Sequence, residues 1–168
     1  FFQAEDGIRD SETWLEFRRV LFRSRHGETI SNKEKKIIGH SDSPLSKQGI
    51  KDIGLISKYF LNMKISKIYS SDLGRTSETS KIIKKKIKFE DKIIYTKKLR
   101  EIDYGDFTGK NKFLIKKRYP GYHTDVNFIN PNGESFNELF LRIKKFVKKI
   151  KNNKEKILII THAGCVRA

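Results

Sequence analysis

Residues 156–161, Lys-Ile-Leu-Ile-Ile-Thr, limit the architectures open to this chain more than any other stretch. Four branched apolar side chains in succession leave neither face of a strand polar, so the strand they form is buried on both faces. Parallel sheets provide that environment, because the crossovers between parallel neighbours are usually helices and cover both sides. The rest of the chain supplies such crossovers. A helix is expected over 45–60, where Ile50, Ile53, Leu55, Ile56, Tyr59 and Phe60 recur at three- and four-residue intervals behind Ser46 as N-cap. A short strand over 65–70, a second helix over 73–87 and another strand over 92–96 give a β-α-β pattern. After the turn-rich Tyr104-Gly105-Asp106 and Thr108-Gly109, residues 111–119 read as helical up to Pro120. Residues 134–151 form a long amphipathic helix with Phe136, Leu139, Phe140, Ile143, Phe146, Val147 and Ile150 on one face. The expected fold class is α/β, a three-layer α/β/α arrangement around a mostly parallel central sheet.

With 168 residues the chain has room for one domain with a sizeable core. Its 36% hydrophobic content, with 12 Phe and 6 Tyr, is too apolar for a disordered chain. No apolar run approaches the roughly 20 residues that span a bilayer, and the N-terminus lacks a secretory pattern. Cys165 is the only cysteine, which excludes an internal disulfide framework and any Cys-x-x-Cys clip. The expected setting is cytoplasmic. A net charge of +17 would ordinarily suggest nucleic acid as partner. Here the lysines are scattered among Ile and Asn, all three with AT-rich codons, so base composition is a sufficient cause. The clusters Lys84-Lys85-Lys86, Lys144-Lys145 and Lys148-Lys149 read as solvated helix faces that speed the encounter with anionic substrates. Residues 1–24 have a different composition: every Lys lies beyond them, while Arg9, Arg18, Arg19, Arg23 and the only Trp, Trp14, lie within. They resemble translated sequencing-adapter read-through and are expected not to belong to the domain, which is placed at 25–168.

In open α/β sheets, ligands sit beyond the carboxyl ends of the strands, where the following helices present their N-termini. Three segments meet that description: Arg25-His26-Gly27-Glu28, Ser70-Ser71-Asp72-Leu73-Gly74-Arg75 and Thr161-His162-Ala163-Gly164. Two arginines and two histidines therefore converge on one edge. Arginine is used sparingly in a chain where lysine would serve any solvated cationic role. Its presence at 25 and 75 points to planar, bidentate recognition of the kind phosphate oxygens require.

The order and spacing of these residues resemble the histidine phosphatase superfamily, the phosphoglycerate-mutase-like proteins. The segment RHGETISNKEKKIIGHSDSPLSKQG is similar to that family's opening motif, SSDLGRTSETS to its second arginine motif, and LREIDYGDFTGK to its acidic loop. PNGESFNEL resembles its Gly-Glu-Ser helix start, and ITHAGCVRA its second histidine motif. The resemblance runs from Arg25 to Ala168, and against it the scaffold is expected to be trimmed at both ends. It implies His26 as the nucleophile, attacking phosphorus and splitting a difficult displacement into two steps through a phosphohistidine. Arg25, Arg75 and His162 would hold the nonbridging oxygens, with Asn32 and Ala163 completing the substrate contacts. Glu101 matches the carboxylate that protonates the departing alkoxide and then takes a proton from the attacking water. No metal and no cofactor are implied, and the substrate expected is a small phosphorylated metabolite.

Other polar residues read differently. Asp103 and Asp106 compete with Glu101 but stand beside Tyr-Gly as turn residues. Glu28 is expected to orient Arg25. Thr29 and Ser31 lie with Asn32 where the family contacts phosphate, although the family often has Trp at the place of Ser31. His40 and His123 have no metal-ligand spacing. Cys165 is expected to pack behind the phosphate loop. Residues 20–24 stand where the family has a central apolar strand, so Arg23 or Ser24 would point into a buried sheet and leave His26 poorly supported. The run LREIDYGDF followed by Thr-Gly-Lys most resembles the α-ribazole and broad-specificity phosphatase branch. About 24 residues separate Gly109 from Gly133-Glu134, little material for a lid that retains a bisphosphate, so hydrolysis is favoured over mutase activity. A noncatalytic basic module holding RNA or a phosphorylated partner is the reading from another class.

Overall fold

The computed structural model describes residues 21–150 and 156–168. Its elements run β1 (Leu21–Arg25), α1 (Ile30–Lys33), α2 (Lys47–Ile56), β2 (Lys67–Ser70), α3 (Gly74–Lys86), β3 (Ile94–Tyr95), α4 (Lys112–Arg118), α5 (Phe136–Ile150), β4 (Ile157–Thr161) and α6 (Ala163–Arg167). The four strands form one parallel sheet in the order β1-β4-β2-β3. Strand β4 is buried at every position, as its unbroken apolar run requires. Ile157 and Ile159 face α5, packing with Leu139, Ile143, Phe146 and Ile150, whereas Leu158 and Ile160 face the opposite layer, with Ile53, Phe60 and Ile83. Helices on both faces make the three layers. A third apolar cluster, Ile37, Phe107, Ile115 and Tyr122, lies beside the sheet and is walled by Tyr104, Tyr119 and Phe128.

Local chemistry sets the element ends. Ser46 caps α2 by accepting from the Gly49 amide at 2.9 Å. The helix expected through residue 60 ends sooner: Ser57 Oγ donates back to the Ile53 carbonyl at 2.6 Å, and Ser57–Phe60 tighten into a 3-10 turn. The strand expected over 92–96 shortens to two residues, because Thr96 caps a 3-10 turn over Lys97–Leu99. Helix α5 starts at Phe136 instead of 134 because Ser135 and Glu138 form a reciprocal capping box. Helix α1, which periodicity did not announce, is a single turn closed by the same device between Thr29 and Asn32.

Residues 1–20, which hold most of the adapter-like segment, lie outside the described residues, and Leu21–Ser24 belong to β1. This strand does not take the central place expected for it; among the described residues it is the sheet's edge, and Arg23 and Ser24 are half-buried. Its support for His26 is sound, with Arg25 paired to Thr161 and the His26 amide donating to the Thr161 carbonyl at 3.0 Å. No helix of the described residues is long and apolar enough to cross a membrane.

Candidate active site

The register aligns the strand ends. Arg25 pairs with Thr161 and Ser70 with Ile160, so His26, His162 and Ser71 leave the sheet side by side. The imidazoles of His26 and His162 meet edge to face with centroids 5.2 Å apart. Gly27, next to His26, has no room for a side chain: a Cβ there would lie 2.5 Å from Ile53 Cδ1. His26 is 7% exposed and directs Nδ1 at the Gly27 carbonyl, 2.7 Å away. A carbonyl only accepts, so Nδ1 carries the proton and Nε2 presents its lone pair, onto which Arg75 Nε–H donates at 3.3 Å. Burial, helped by the Arg75 charge, lowers the His26 pKa to about 3, which keeps the ring neutral and nucleophilic.

Arg75 is 2% exposed, and burial lowers its pKa from the usual arginine value. A loop crosses over its guanidinium: the Gly39 and Ser41 carbonyls each accept from it at 2.8 Å. Asp42 in the same loop accepts the Gly74 amide and, at 3.1 Å, the Arg75 amide, capping α3 from a distance where Leu73 offers no side-chain cap. The fork expected to face phosphate is thus partly engaged by backbone, and Nη1 also lies 3.7 Å from Asp42 Oδ1.

Glu101 sits at the start of α6. Its Oε1 and Oε2 accept from the Gly164 amide at 3.1 and 3.3 Å, and Oε1 accepts from the Ile102 amide at 3.1 Å. The loop that carries it is clamped by Arg142, which donates to the carbonyls of Lys98, Arg100 and Glu101 and pairs with Glu134. Glu134 in turn accepts the Asp103 amide at 3.0 Å. On the other flank, Arg100 grips Asp72 through two hydrogen bonds of 2.7 and 2.5 Å, which holds the Asp72 carboxyl below the usual range.

Arg25, His26, Arg75 and Glu101 line one pocket of about 140 Å³, with Asn32 and Ala163 also in its wall. With Arg25 and His26 adjacent, the six come from five separate stretches of chain, which the level strand ends bring together. His162 is fully buried and not part of the wall; it stands behind His26 with Nε2 bonded to Ser71 Oγ at 3.0 Å and Nδ1 without a partner among the described residues. Burial and the Arg75 charge push its pKa well below the usual histidine value. Thr29 is a buried cap, and neither it nor Ser31 reaches the pocket. Glu28 does not orient Arg25: it accepts from Ser46 Oγ at 2.6 Å and pairs with Lys33, because Ser46 closes the loop that brings Glu28 over the start of α2. Arg25 keeps its guanidinium on the pocket wall with no acidic partner among the described residues. Asp103 and Asp106 build the loop, accepting from the Gly105 amide and the Asn132 amide group, and stay off the wall. Cys165 packs behind it with its thiol donating to the Arg100 carbonyl, and burial raises that thiol to about 12. The His123 side chain lies outside the described residues.

Sequence reasoning missed Lys36, Lys112, Tyr104, Tyr122 and Arg167, which also line the wall. Burial raises the hydroxyl pKa of both tyrosines, Tyr122 to about 12. Among the described residues Glu101 is the only carboxylate of the lining, against Arg25, Lys36, Arg75, Lys112 and Arg167. Such a pocket selects anions and places one proton-transfer group against them.

The model of the histidine phosphatase superfamily (branch 1) matches residues 21–168, and the chain belongs to that family. Phosphoglycerate mutase-like protein 4 of Arabidopsis thaliana is 36% identical over 155 residues, 86% of this chain and 66% of that protein. Fructose-2,6-bisphosphatase TIGAR of Xenopus tropicalis is 36% identical over 132 residues, 73% of this chain and 46% of that protein. The chain therefore spans about half to two thirds of the length of these relatives. Among solved structures, Bacillus stearothermophilus YhfR superposes with a TM-score of 0.78 at 30% identity, covering 88% of this chain and 76% of that one.

Proposed function

We propose that the protein hydrolyses phosphomonoesters of small metabolites through a phosphohistidine on His26. The observation that carries this reading is the fixed tautomer: Nδ1–H is held by the Gly27 carbonyl, so the lone pair sits on Nε2 in a cationic pocket, where it accepts from Arg75 Nε–H until that donor turns to a phosphate oxygen. In the first step Nε2 bonds to phosphorus as the ester P–O bond breaks, and Glu101 gives its proton to the departing alkoxide. In the second, Glu101 takes a proton from water as its oxygen attacks phosphorus and the P–N bond breaks, releasing phosphate and neutral His26. Arg25 and Arg75 offset charge on the transferring group, with Asn32 and Ala163 beside it and His162 backing His26. A cavity of about 140 Å³ suits a small ester; drug-sized ligand sites run to roughly 300–1,000 Å³. The branch resemblance of residues 99–110 favours hydrolysis, while a relative named for mutase likeness keeps phosphoryl return to a second hydroxyl as the alternative. A metabolite that enters such a site would be met without a membrane or a nucleic-acid partner.

The test is labelling with a ³²P-phosphomonoester, followed by acid and base treatment. Wild type is expected to carry acid-labile, base-stable label that His26→Ala abolishes; label persisting in His26→Ala would move the nucleophile elsewhere. A strict requirement for a bisphosphate primer, with isomerised product, would establish the mutase instead.

A further inference from the structure

The loop that crosses Arg75 has a second attachment. Gly39 and Ser41 accept from the Arg75 guanidinium, and Asp42 caps the helix that carries it. His40, between them, points the other way. Its Nε2 lies 2.8 Å from the Glu101 carbonyl and its Nδ1 lies 3.4 Å from Asp103 Oδ2. Because the carbonyl only accepts, Nε2 is the donor. The Glu101 carbonyl therefore receives two side chains: His40 from the arginine side and Arg142 from α5, the latter at 3.3 Å. Gly39 adopts φ +55°, a left-handed conformation suited to glycine, which lets the loop reverse here so that neighbouring residues serve opposite sides.

Arg142 fixes the acidic loop to the helical layer, and its hydrogen bonds go to Glu134 and to the carbonyls of Lys98, Arg100 and Glu101, not to Arg75 or His26. The link through His40 differs, since it ties the backbone of Glu101 to the backbone that holds Arg75. We infer that His40 is a positioning residue that sets the Glu101 carboxylate against the His26–Arg75 centre. It acts on proton transfer and not on phosphate binding, since it does not itself line the pocket and reaches the wall only through the backbone of Glu101. The inference rests on the phosphohistidine reading above.

The imidazole side chain is 32% exposed, so its removal leaves the core intact. The experiment compares wild type, His40→Ala and His40→Gln, the last keeping an amide donor at the reach of Nε2. For each, kcat/KM is measured on an alkyl phosphate and on an activated aryl phosphate, together with phosphohistidine levels during aryl turnover. His40→Ala is expected to lose at least tenfold on the alkyl ester and less than threefold on the aryl ester, whose leaving group needs little protonation. Label is expected to accumulate on His26, because the water that releases it lacks a placed base, and His40→Gln is expected to restore both within threefold. Equal losses on the two esters, no accumulation, or failure of His40→Gln to rescue would overturn the role of His40 while leaving the phosphohistidine in place. A wild type that never labels would overturn the underlying reading and the inference with it.

Discussion

Gly164→Ala should separate stability from catalysis. Gly164 lies in α6, where alanine is the better helix former by roughly 0.5–1 kcal/mol. The new methyl, however, would stand 2.2 Å from Glu101 Oε1 and 3.1 Å from Leu139 Cδ2. Leu139 has only to give by a few tenths of an ångström, and the carboxylate is the free end of a flexible side chain. The fold can therefore absorb the methyl by moving Oε1 about 1 Å from the Gly164 amide, a displacement of the size that costs on the order of 10²-fold in rate when it misplaces a reacting group. That factor corresponds to about 2.7 kcal/mol of barrier. Differential scanning fluorimetry should show Tm within about 4 °C of wild type, since 1 kcal/mol shifts a domain of this size by roughly 2–4 °C. Over the same comparison, kcat/KM on an alkyl phosphate should fall about a hundredfold and that on an aryl phosphate much less. An unchanged Tm with alkyl turnover within threefold of wild type would refute the reasoning, because the seat of Glu101 would then not govern proton transfer.

Arg75→Lys keeps the charge but loses the contacts to the Gly39 and Ser41 carbonyls and to His26 together, so turnover should fall at least tenfold, about 1.4 kcal/mol, and unchanged turnover would remove Arg75 from the site. Stability should decline as pH drops below about 6.5. His26, held to about 3 in the fold, remains neutral while the unfolded chain takes up its proton. The loss accumulates from 6.5 downward and levels off below about 3; His26 alone contributes about 2 kcal/mol between pH 7 and 5. His162, shifted in the same direction, adds to it. Urea titrations of wild type and His26→Gln at pH 7 and pH 5 would measure this, and equal pH slopes in the two would contradict it.

Much of this arrangement was legible because it depends on local periodicity or on the ends of strands. The apolar run of β4 demanded a doubly covered parallel position, and the residues after three strand ends converged because the sheet is parallel. Cap chemistry gives Ser46 at the start of α2, whereas α5 is expected two residues early because its Ser135–Glu138 capping box goes unrecognised. What escaped reading was set by contacts between distant segments. Nothing in the spacing of Asp42 announces that it caps a helix 32 residues later, nor that Glu28 prefers Ser46 to Arg25. Lys36 and Lys112 reach the pocket through an antiparallel bridge between Lys36 and Asn111, which no pattern in either segment reveals. The 3-10 endings at Ser57 and Thr96 are single hydrogen-bond decisions that periodicity averages away.

The same register that made the edge legible also makes it fragile in a particular way. Side chains alternate between faces along a strand, so a one-residue slip of β4 against β1 and β2 would send Ile157 and Ile159 to the layer now holding Leu158 and Ile160. It would also break the level ends, moving His162 about 3.3 Å along the strand direction relative to His26. With branched apolar residues at four consecutive positions, β4 itself does not oppose that slip strongly, since either face accepts it. Opposition comes from the polar end: Thr161 Oγ1 donates to the Leu99 carbonyl at 2.7 Å, the Thr161 carbonyl accepts the His26 amide, and Ser71 holds His162 Nε2. Each of these bonds joins the sheet to a different segment of the pocket: the acidic loop, the His26 turn and the loop before α3. The hydrogen bonds that fix register are therefore the ones that place His26, Glu101 and His162 with respect to one another. Strand pairing and site assembly are one event in this fold.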